Sequence, residues 1–214
     1  MASEAVVLTC GNAQWPGPGA ATTVPACPGR NDLSGPLSEL NGRRLVICGT
    51  DADLAAVVLR LLRTSSLGMV PVGYVPTSAF SAVARLWGLP SVPVAAVRVA
   101  LRGRPDRLPL VRDDTGGVLV GLGVIRPVQG VAYCDDDPVL RGAASRLEVT
   151  PDRQHGLVVR VVRRRLFGRQ LRHAAGRAIQ LGCTPTTVWR DGIPSRTPDR
   201  WTWYRHTEPW HLIR

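Results

Sequence analysis

Residues 43–90 read RRLVICGTDADLAAVVLRLLRTSSLGMVPVGYVPTSAFSAVARLWGLP, and the order of apolar runs in this stretch decides the fold. Leu45 to Cys48 form a short apolar run with β-branched residues, and Gly49-Thr50-Asp51-Ala52-Asp53 follows at once. This predicts a buried parallel strand leaving into a tight turn. Asp53 is placed to cap the helix that comes next. Leu54, Val57, Val58, Leu61 and Leu62 recur at helical spacing, and Arg60 and Arg63 fall near the C-terminal end, where cations suit the helix dipole. That helix is expected to stop between Ser65 and Gly68. Met69 to Val72 then predict a second strand, Gly73 to Ser78 a loop, and Phe80 to Trp87 a second helix closed by Gly88 and Pro90. The product is a β-α-β-α unit whose strand ends open into loops on one edge of a sheet.

These residues resemble the nucleotide-binding domain of the diacylglycerol kinase and bacterial lipid kinase family. In that family a strand leads into GGDGT, a helix follows, and a second strand ends in a P-L-G-T-G-N-D-F-A-R loop before L-G-I-P. Here Gly49-Thr50-Asp51-Ala52-Asp53-Leu54 stands at the place of GGDGT and its leucine, with Thr50 and Ala52 where the family has glycine. Pro71-Val72-Gly73 matches P-L-G, and Ala84-Arg85 with Leu86-Trp87-Gly88-Leu89-Pro90 resembles the closing A-R and L-G-I-P. Tyr74 to Val83 is longer than the family loop and lacks its G-N-D. The tail from Gly176 onward resembles the end of the family's C-terminal β-sandwich, where a D-G-E turn precedes a final strand. Asp191-Gly192-Ile193 keeps the D-G and has Ile for the Glu.

The resemblance implies an α/β protein: a parallel-sheet nucleotide-binding lobe over residues 1–126, followed by a C-terminal antiparallel β-sandwich over residues 127–214, with the active site in the cleft between them. The activity it implies is ATP-dependent phosphoryl transfer to a lipid hydroxyl. Such transfer needs a backbone cradle for phosphates, a divalent cation to spread their charge, and a carboxylate for the attacking hydroxyl. By match to the motifs, Asp51 would stand near the phosphates and hold Mg²⁺, and Asp191 would be the catalytic carboxylate. Gly49, Thr50, Asp53, Gly73, Thr77 and Ser78 would bind the ATP.

The residue types support a second reading. Asp51 and Asp53 suit a turn and a helix cap whatever the function, and Asp191-Gly192 suits a hairpin turn. Thr50 and Ala52 add bulk where a cradle approaches phosphate, the G-N-D contacts are missing, and Ile193 removes a carboxylate. A non-catalytic member that holds a nucleotide or an anionic lipid headgroup is therefore the alternative to a working kinase.

Charge adds a third. The net charge is +11, and all 27 basic residues are Arg, which favours anionic partners: phosphates, acidic membrane surfaces or nucleic acid. An Arg-only chain rich in Ala, Gly and Val is equally what codon bias in a GC-rich genome yields. Trp189, Trp201, Trp203 and Trp210 among Arg190, Arg200 and Arg205 suit base stacking, or a small core with arginines across the ring faces. No helix-turn-helix, RNP or zinc-finger pattern supports nucleic-acid binding. No apolar run approaches the roughly 18 residues of a membrane span, and MASEAVVLTC lacks a signal-peptide layout. The expected location is cytoplasmic, with peripheral membrane contact through the arginines. Five cysteines without a C-x-x-C pair predict neither a disulfide framework nor a zinc site. Asp135-Asp136-Asp137 suits a cation or a solvated turn, and the four histidines have no ligand spacing.

Elsewhere, Ala5 to Thr9 predict a first strand in the same sheet. Gly11 to Pro36 predict an irregular loop, and Leu37 to Gly42 one helical turn. Val92 to Leu101 predict a helix and Arg107 to Val111 a strand. Gly116 to Ile125 suggest a strand pressed closely on a neighbour. After Gly130, strands are expected at Ser145–Thr150, Leu157–Val162, Ala178–Leu181, Thr187–Arg190, Trp201–Tyr204 and Trp210–Ile213. Arg163 to Arg169 is read as a basic loop or helical turn between them.

Overall fold

In the computed structural model, which describes residues 5–165, 168–197 and 199–214, the chain divides into two units: Met1–Leu108 with Glu208–Arg214, and Pro109–Thr207. The division therefore falls at Leu108 and not at residue 126, and the last strand belongs to the first unit. No helix among the described residues is long and apolar enough to cross a membrane.

The first unit runs β1 (Ala5–Cys10), β2 (Thr22–Val24), α1 (Arg30–Ser38), β3 (Arg44–Gly49), α2 (Asp51–Arg63), β4 (Pro71–Pro76), α3 (Ala82–Trp87), α4 (Pro93–Arg102) and β5 (Pro105–Leu108), and it is completed by the C-terminal strand Trp210–Ile213. Its sheet has the order β2-β1-β3-β4, then the C-terminal strand, then β5. Every neighbouring pair is parallel except the last, which is antiparallel. Parallel strands buried on both faces carry nearly unbroken apolar runs, as β1 and β3 do. Val46, Cys48, Ala5, Val7 and Val75 pack on one face with Ala96, Val97 and Ala100 of α4. The alternate residues Leu45 and Ile47 are fully buried on the other face, where α2, in contact with β3, buries Leu54, Val57, Val58 and Leu61.

Several boundaries differ from the sequence reading. β4 continues to Pro76, so Gly73 lies inside the strand and not in a loop. A Cβ at Gly73 would come within 2.9 Å of Ala100, and its absence lets α4 lie directly on the strand. α3 begins at Ala82 behind the N-cap Ser81, and Gly88 ends it at φ 68°. The expected loop before Pro36 contains β2 and most of α1; Gly29 N–H donates to Asp32 Oδ2 (2.8 Å), and Leu33 is fully buried. Leu37 and Ser38 finish that helix, and Asn41 and Gly42, both at positive φ, turn the chain into β3.

The second unit holds β6 (Val111–Asp113), β7 (Val118–Leu119), β8 (Gly123–Ile125), β9 (Val128–Cys134), β10 (Asp137–Ala144), β11 (Arg146–Asp152), β12 (Gly156–Arg165), β13 (Gly168–Gly176), β14 (Ala178–Cys183), β15 (Thr186–Arg190), β16 (Ile193–Thr197) and β17 (Arg200–Arg205). They form two antiparallel sheets, β10-β9-β14-β17-β6-β7 and β13-β12-β11-β8-β15-β16. Ala132, Ile179 and Trp203 of the first share one buried cluster with Leu147, Val159 and Val188 of the second. The molecule is thus mixed α/β, with a mainly parallel sheet and two antiparallel ones.

Gly123 presses on Trp203, whose ring lies 2.8 Å from where a Cβ would stand. The strand expected over Arg107–Val111 is broken at Pro109, which has no N–H to give a ladder, and its halves fall in β5 and β6. Arg163 to Arg169 does not interrupt the strands: its described residues belong to the β12–β13 hairpin, while Leu166 and Phe167 lie outside the described residues. Asp135 forms the β9–β10 turn at φ 48°, its carboxylate accepting from the N–H groups of Arg177 and Ala178. Trp201, Trp203 and Trp210 are buried, so they fill cores and offer no faces to bases. Arg190 lies 5.6 Å over the Trp201 ring and Arg126 5.2 Å over Trp189.

Candidate functional site

The chain leaves β1 for β2 on one side and returns to β3 on the other, so strand order reverses between β1 and β3. In open α/β sheets the crevice outside the carboxyl ends of strands at such a reversal is where ligands bind. Cys10 and Gly49 end these two strands.

The Asp53 side chain lies against this position. Its Oδ2 accepts from Thr50 N–H (2.7 Å) and the Thr50 hydroxyl (2.8 Å), and its Oδ1 accepts from Cys27 N–H (2.7 Å). Thr50 Oγ1 in turn accepts from Asp53 N–H at 3.3 Å. The N-cap of α2 is therefore Thr50, not Asp53, and Asp53 is its reciprocal partner in a capping box. A Cβ on Gly49 would sit 2.7 Å from Asp53 Oδ2 and 3.1 Å from Cys10 Cβ. The glycine at 49 is accounted for by the protein's own carboxylate.

That carboxylate also colours its surroundings. Burial pushes the Cys10 thiol up to about 12, helped by Asp53, Cys48 and Cys27. Cys27 is raised by burial and then by Asp53, and Cys48 by burial.

Asp51 joins α2 to α3. Its Oδ1 accepts from the hydroxyls of Tyr74 (2.9 Å) and Ser81 (2.5 Å), and its Oδ2 from the N–H groups of Ala82 (2.7 Å) and Val83 (3.4 Å). Ser81 Oγ accepts from Ala84 N–H at 3.0 Å, so the two side chains together cap α3. Burial, then the Asp51 charge, raises the Tyr74 phenol. An ionised carboxylate offers about four lone-pair positions, and four donors meet this one. The residues therefore do not fit a Mg²⁺ ion at Asp51. Among the described residues no group of three or more His, Cys, Asp or Glu is arranged to hold a metal.

Thr77 and Ser78 stand exposed at the carboxyl end of β4. Thr77 N–H donates to the Gly49 carbonyl (3.0 Å), which ties this loop to the 49–53 turn, and Ser78 Oγ accepts from Phe80 N–H (3.1 Å). Gly49, Thr50, Asp51, Asp53, Thr77 and Ser78 are thus gathered on one sheet edge. Gly73 is not among them, being covered by Ala100 in mid-strand.

Asp191 belongs to the second unit. With Gly192 it forms the two-residue turn between β15 and β16, at φ 47° and 93°, as a D-G hairpin requires. Its carboxylate is buried and accepts from Val120 N–H (3.0 Å), Gly121 N–H (2.8 Å) and Leu122 N–H (3.0 Å). It pins the loop between β7 and β8. Asp113 does the same for the β6–β7 turn: fully buried, it accepts from Thr115 N–H, the Thr115 hydroxyl, Gly117 N–H and Arg190 Nη1, the last at 2.6 Å. The sequence reading missed Asp113, although Asp-Asp-Thr-Gly-Gly carries the marks of a side-chain-closed turn. It also missed Ser81, which precedes a helix as an N-cap residue should.

No protein-family model matches the sequence, and no curated protein matches it. In three dimensions the chain is similar to a diacylglycerol kinase from Bacillus anthracis str. Sterne, with a TM-score of 0.69 at 11% identity over 99% of this chain and 96% of that one. It is also similar to an NAD kinase from Archaeoglobus fulgidus in complex with ATP, with a TM-score of 0.59 at 10% identity over 98% of this chain and 93% of that one.

Proposed function

We propose that this protein, whose fold is that of the diacylglycerol kinase-like proteins, binds a nucleotide at the carboxyl edge of its parallel sheet and does not transfer a phosphoryl group from it. The observation that carries this reading is the Asp51 carboxylate, met by four donors that hold α3 in place. Asp191 is engaged in the same way with three backbone N–H groups, and Asp53 lies where a ligand phosphate would approach Gly49. Each family carboxylate serves as a cap for a loop of this chain.

A nucleotide is supported as ligand by the fold and by the ATP held in the NAD kinase. The proposed contacts are the exposed hydroxyls of Thr77 and Ser78, beside the 49–53 turn, whose Thr50 and Asp53 donors are taken up by their own capping box. In this reading Gly73 is a packing residue, and the two antiparallel sheets stack as the sandwich of the diacylglycerol kinase family. The fold similarity favours a second reading, ATP-dependent phosphoryl transfer to a lipid hydroxyl, in which Asp51 and Asp191 give up their donors to act on metal and substrate.

Calorimetric titration with ATP and with Mg-ATP, beside an ATP-consumption assay with diacylglycerol vesicles, separates the two. Expected are binding that is indifferent to Mg²⁺ and no transfer above background. Turnover in the wild type that falls by about 10²- to 10⁴-fold in a folded Asp191→Asn variant would establish the kinase. Absence of binding at millimolar ATP would remove the nucleotide.

A further inference from the structure

β12 and β13 are paired from Leu157 opposite Gly176 to Arg165 opposite Gly168. Side chains alternate across a strand, and Val159 and Val161 point into the core of the second unit. Arg163 follows them on that inner face; Arg172 lies opposite Val161, and Gln170 opposite Arg163. Arg163 and Arg172 thus share the inner face beyond the end of the core, where they meet β10. There Arg163, Arg172 and Arg141, with Pro138, Val139 and Leu140, line a cavity of about 140 Å³.

Arg163 is held in place, because its Nη2 donates to the Arg141 carbonyl at 2.8 Å. Its Nε is buried with no acceptor. Among the described residues, no carboxylate pairs with Arg141, Arg163 or Arg172; the nearby Arg146 and Arg160, by contrast, share Glu148. Three like charges around one small cavity repel one another, and the guanidinium fork matches the oxygens of phosphate. Pockets for drug-sized ligands run to about 300–1,000 Å³, so this one suits a single small group.

We propose that Arg141, Arg163 and Arg172 form a binding site for a phosphate group, carried either by free inorganic phosphate or by the headgroup of an anionic phospholipid. The site lies wholly in the second unit and does not rest on the nucleotide reading above.

The test is titration of the full chain with inorganic phosphate at constant ionic strength, beside co-sedimentation with phosphatidylcholine vesicles with and without phosphatidic acid. Arg141→Gln and Arg172→Gln alter exposed strand residues, and Arg169→Gln, on the opposite face of the same hairpin, is the control; thermal melting confirms that each folds. Losing one charge-assisted contact should weaken binding by about tenfold or more in the first two variants and leave Arg169→Gln unchanged. Saturation by free phosphate identifies a free anion as the ligand, and retention only on phosphatidic acid identifies a headgroup. The proposal fails if the wild type binds neither, or if Arg169→Gln weakens binding as much as Arg172→Gln, which would mean diffuse surface charge. Should Arg141→Gln or Arg172→Gln unfold, Arg172→Lys, which keeps the charge and loses the fork, must still weaken binding. ATP binding abolished by Arg172→Gln would place the nucleotide phosphates here and overturn the sheet-edge site instead.

Discussion

A carboxylate that accepts several short hydrogen bonds is a structural part whose removal has a measurable cost. Asp51→Asn removes the charge and keeps one acceptor oxygen. Its NH₂ must face either the Ala82 and Val83 N–H groups or the Tyr74 and Ser81 hydroxyls, which would then have to accept where they now donate. We therefore expect a loss of about 1–3 kcal/mol, read as a lower urea midpoint at unchanged slope. Asn suits the turn geometry at 191. A residue with only that turn role would tolerate the change. The three N–H groups on the Asp191 carboxylate instead predict that Asp191→Asn also costs about 1–3 kcal/mol, and a variant as stable as the wild type would contradict the geometry. Cys10 supplies a pH dependence. Its thiol is raised from the ordinary 9.0 to about 12, so above pH 9 the unfolded chain releases a proton that the folded chain keeps. The contribution is fully present below about pH 9 and is lost as pH rises toward about 12. Urea midpoints measured across that range should fall, and Cys10→Ala should flatten the fall.

The turn from β3 into α2 shows how an element can be stabilised by the residues that spoil a phosphate cradle. Thr50 stands where the kinase motif has glycine, and it makes the capping box with Asp53. Thr50→Ala should destabilise by about 0.5–2 kcal/mol and Thr50→Gly by only a few tenths, a ranking that thermal melts can check. The β4–α4 contact is decided by one missing side chain. Gly73→Ala would put a methyl 2.9 Å from Ala100 Cβ and from its carbonyl oxygen. Overpacking of this kind costs about 1–3 kcal/mol, and chemical denaturation should show it although the residue is far from any proposed ligand.

The C-terminal strand closes the first unit from the far end of the chain. It pairs parallel with β4 and antiparallel with β5, buries Trp210, and is preceded by Glu208, whose Oε1 accepts from Gly68 N–H at 3.0 Å. Arg214 adds an ion pair with Asp106 at 2.5 Å. Deleting residues 208–214 would leave two facing rows of backbone groups inside a sheet without partners. Among the described residues β5 has no other strand partner, whereas β4 is still paired with β3 along its length. Hydrogen exchange should then show protection lost in β5 and at the start of β4, where Pro71 and Val72 meet the C-terminal strand, and kept on the β3 side of β4 and in the contiguous 109–207 unit.

The sequence by itself determined the β-α-β-α order of residues 43–90, because short apolar runs, helical spacing and the glycine and proline stops are local properties. Apolar residues between turn signals likewise marked β11, β12, β14, β15 and β17 in the second unit, while Gly116–Ile125, read as one strand, divides into β7 and β8. Where the pattern was interrupted, by Gly130, Gly142 or the arginines of the β12–β13 hairpin, the strands were illegible, since only pairing with a neighbour makes such residues extended. The kinase-like motifs were legible as residue types, but their use was not. Asp53 meets Cys27 across 26 residues, Asp51 meets Ser81 across 30, and Asp191 meets Val120 across 71. The same Asp in a turn can face a ligand or a neighbouring loop. Which of the two it faces is set by the donors that packing brings within 3 Å, and those come from distant segments that no local pattern records.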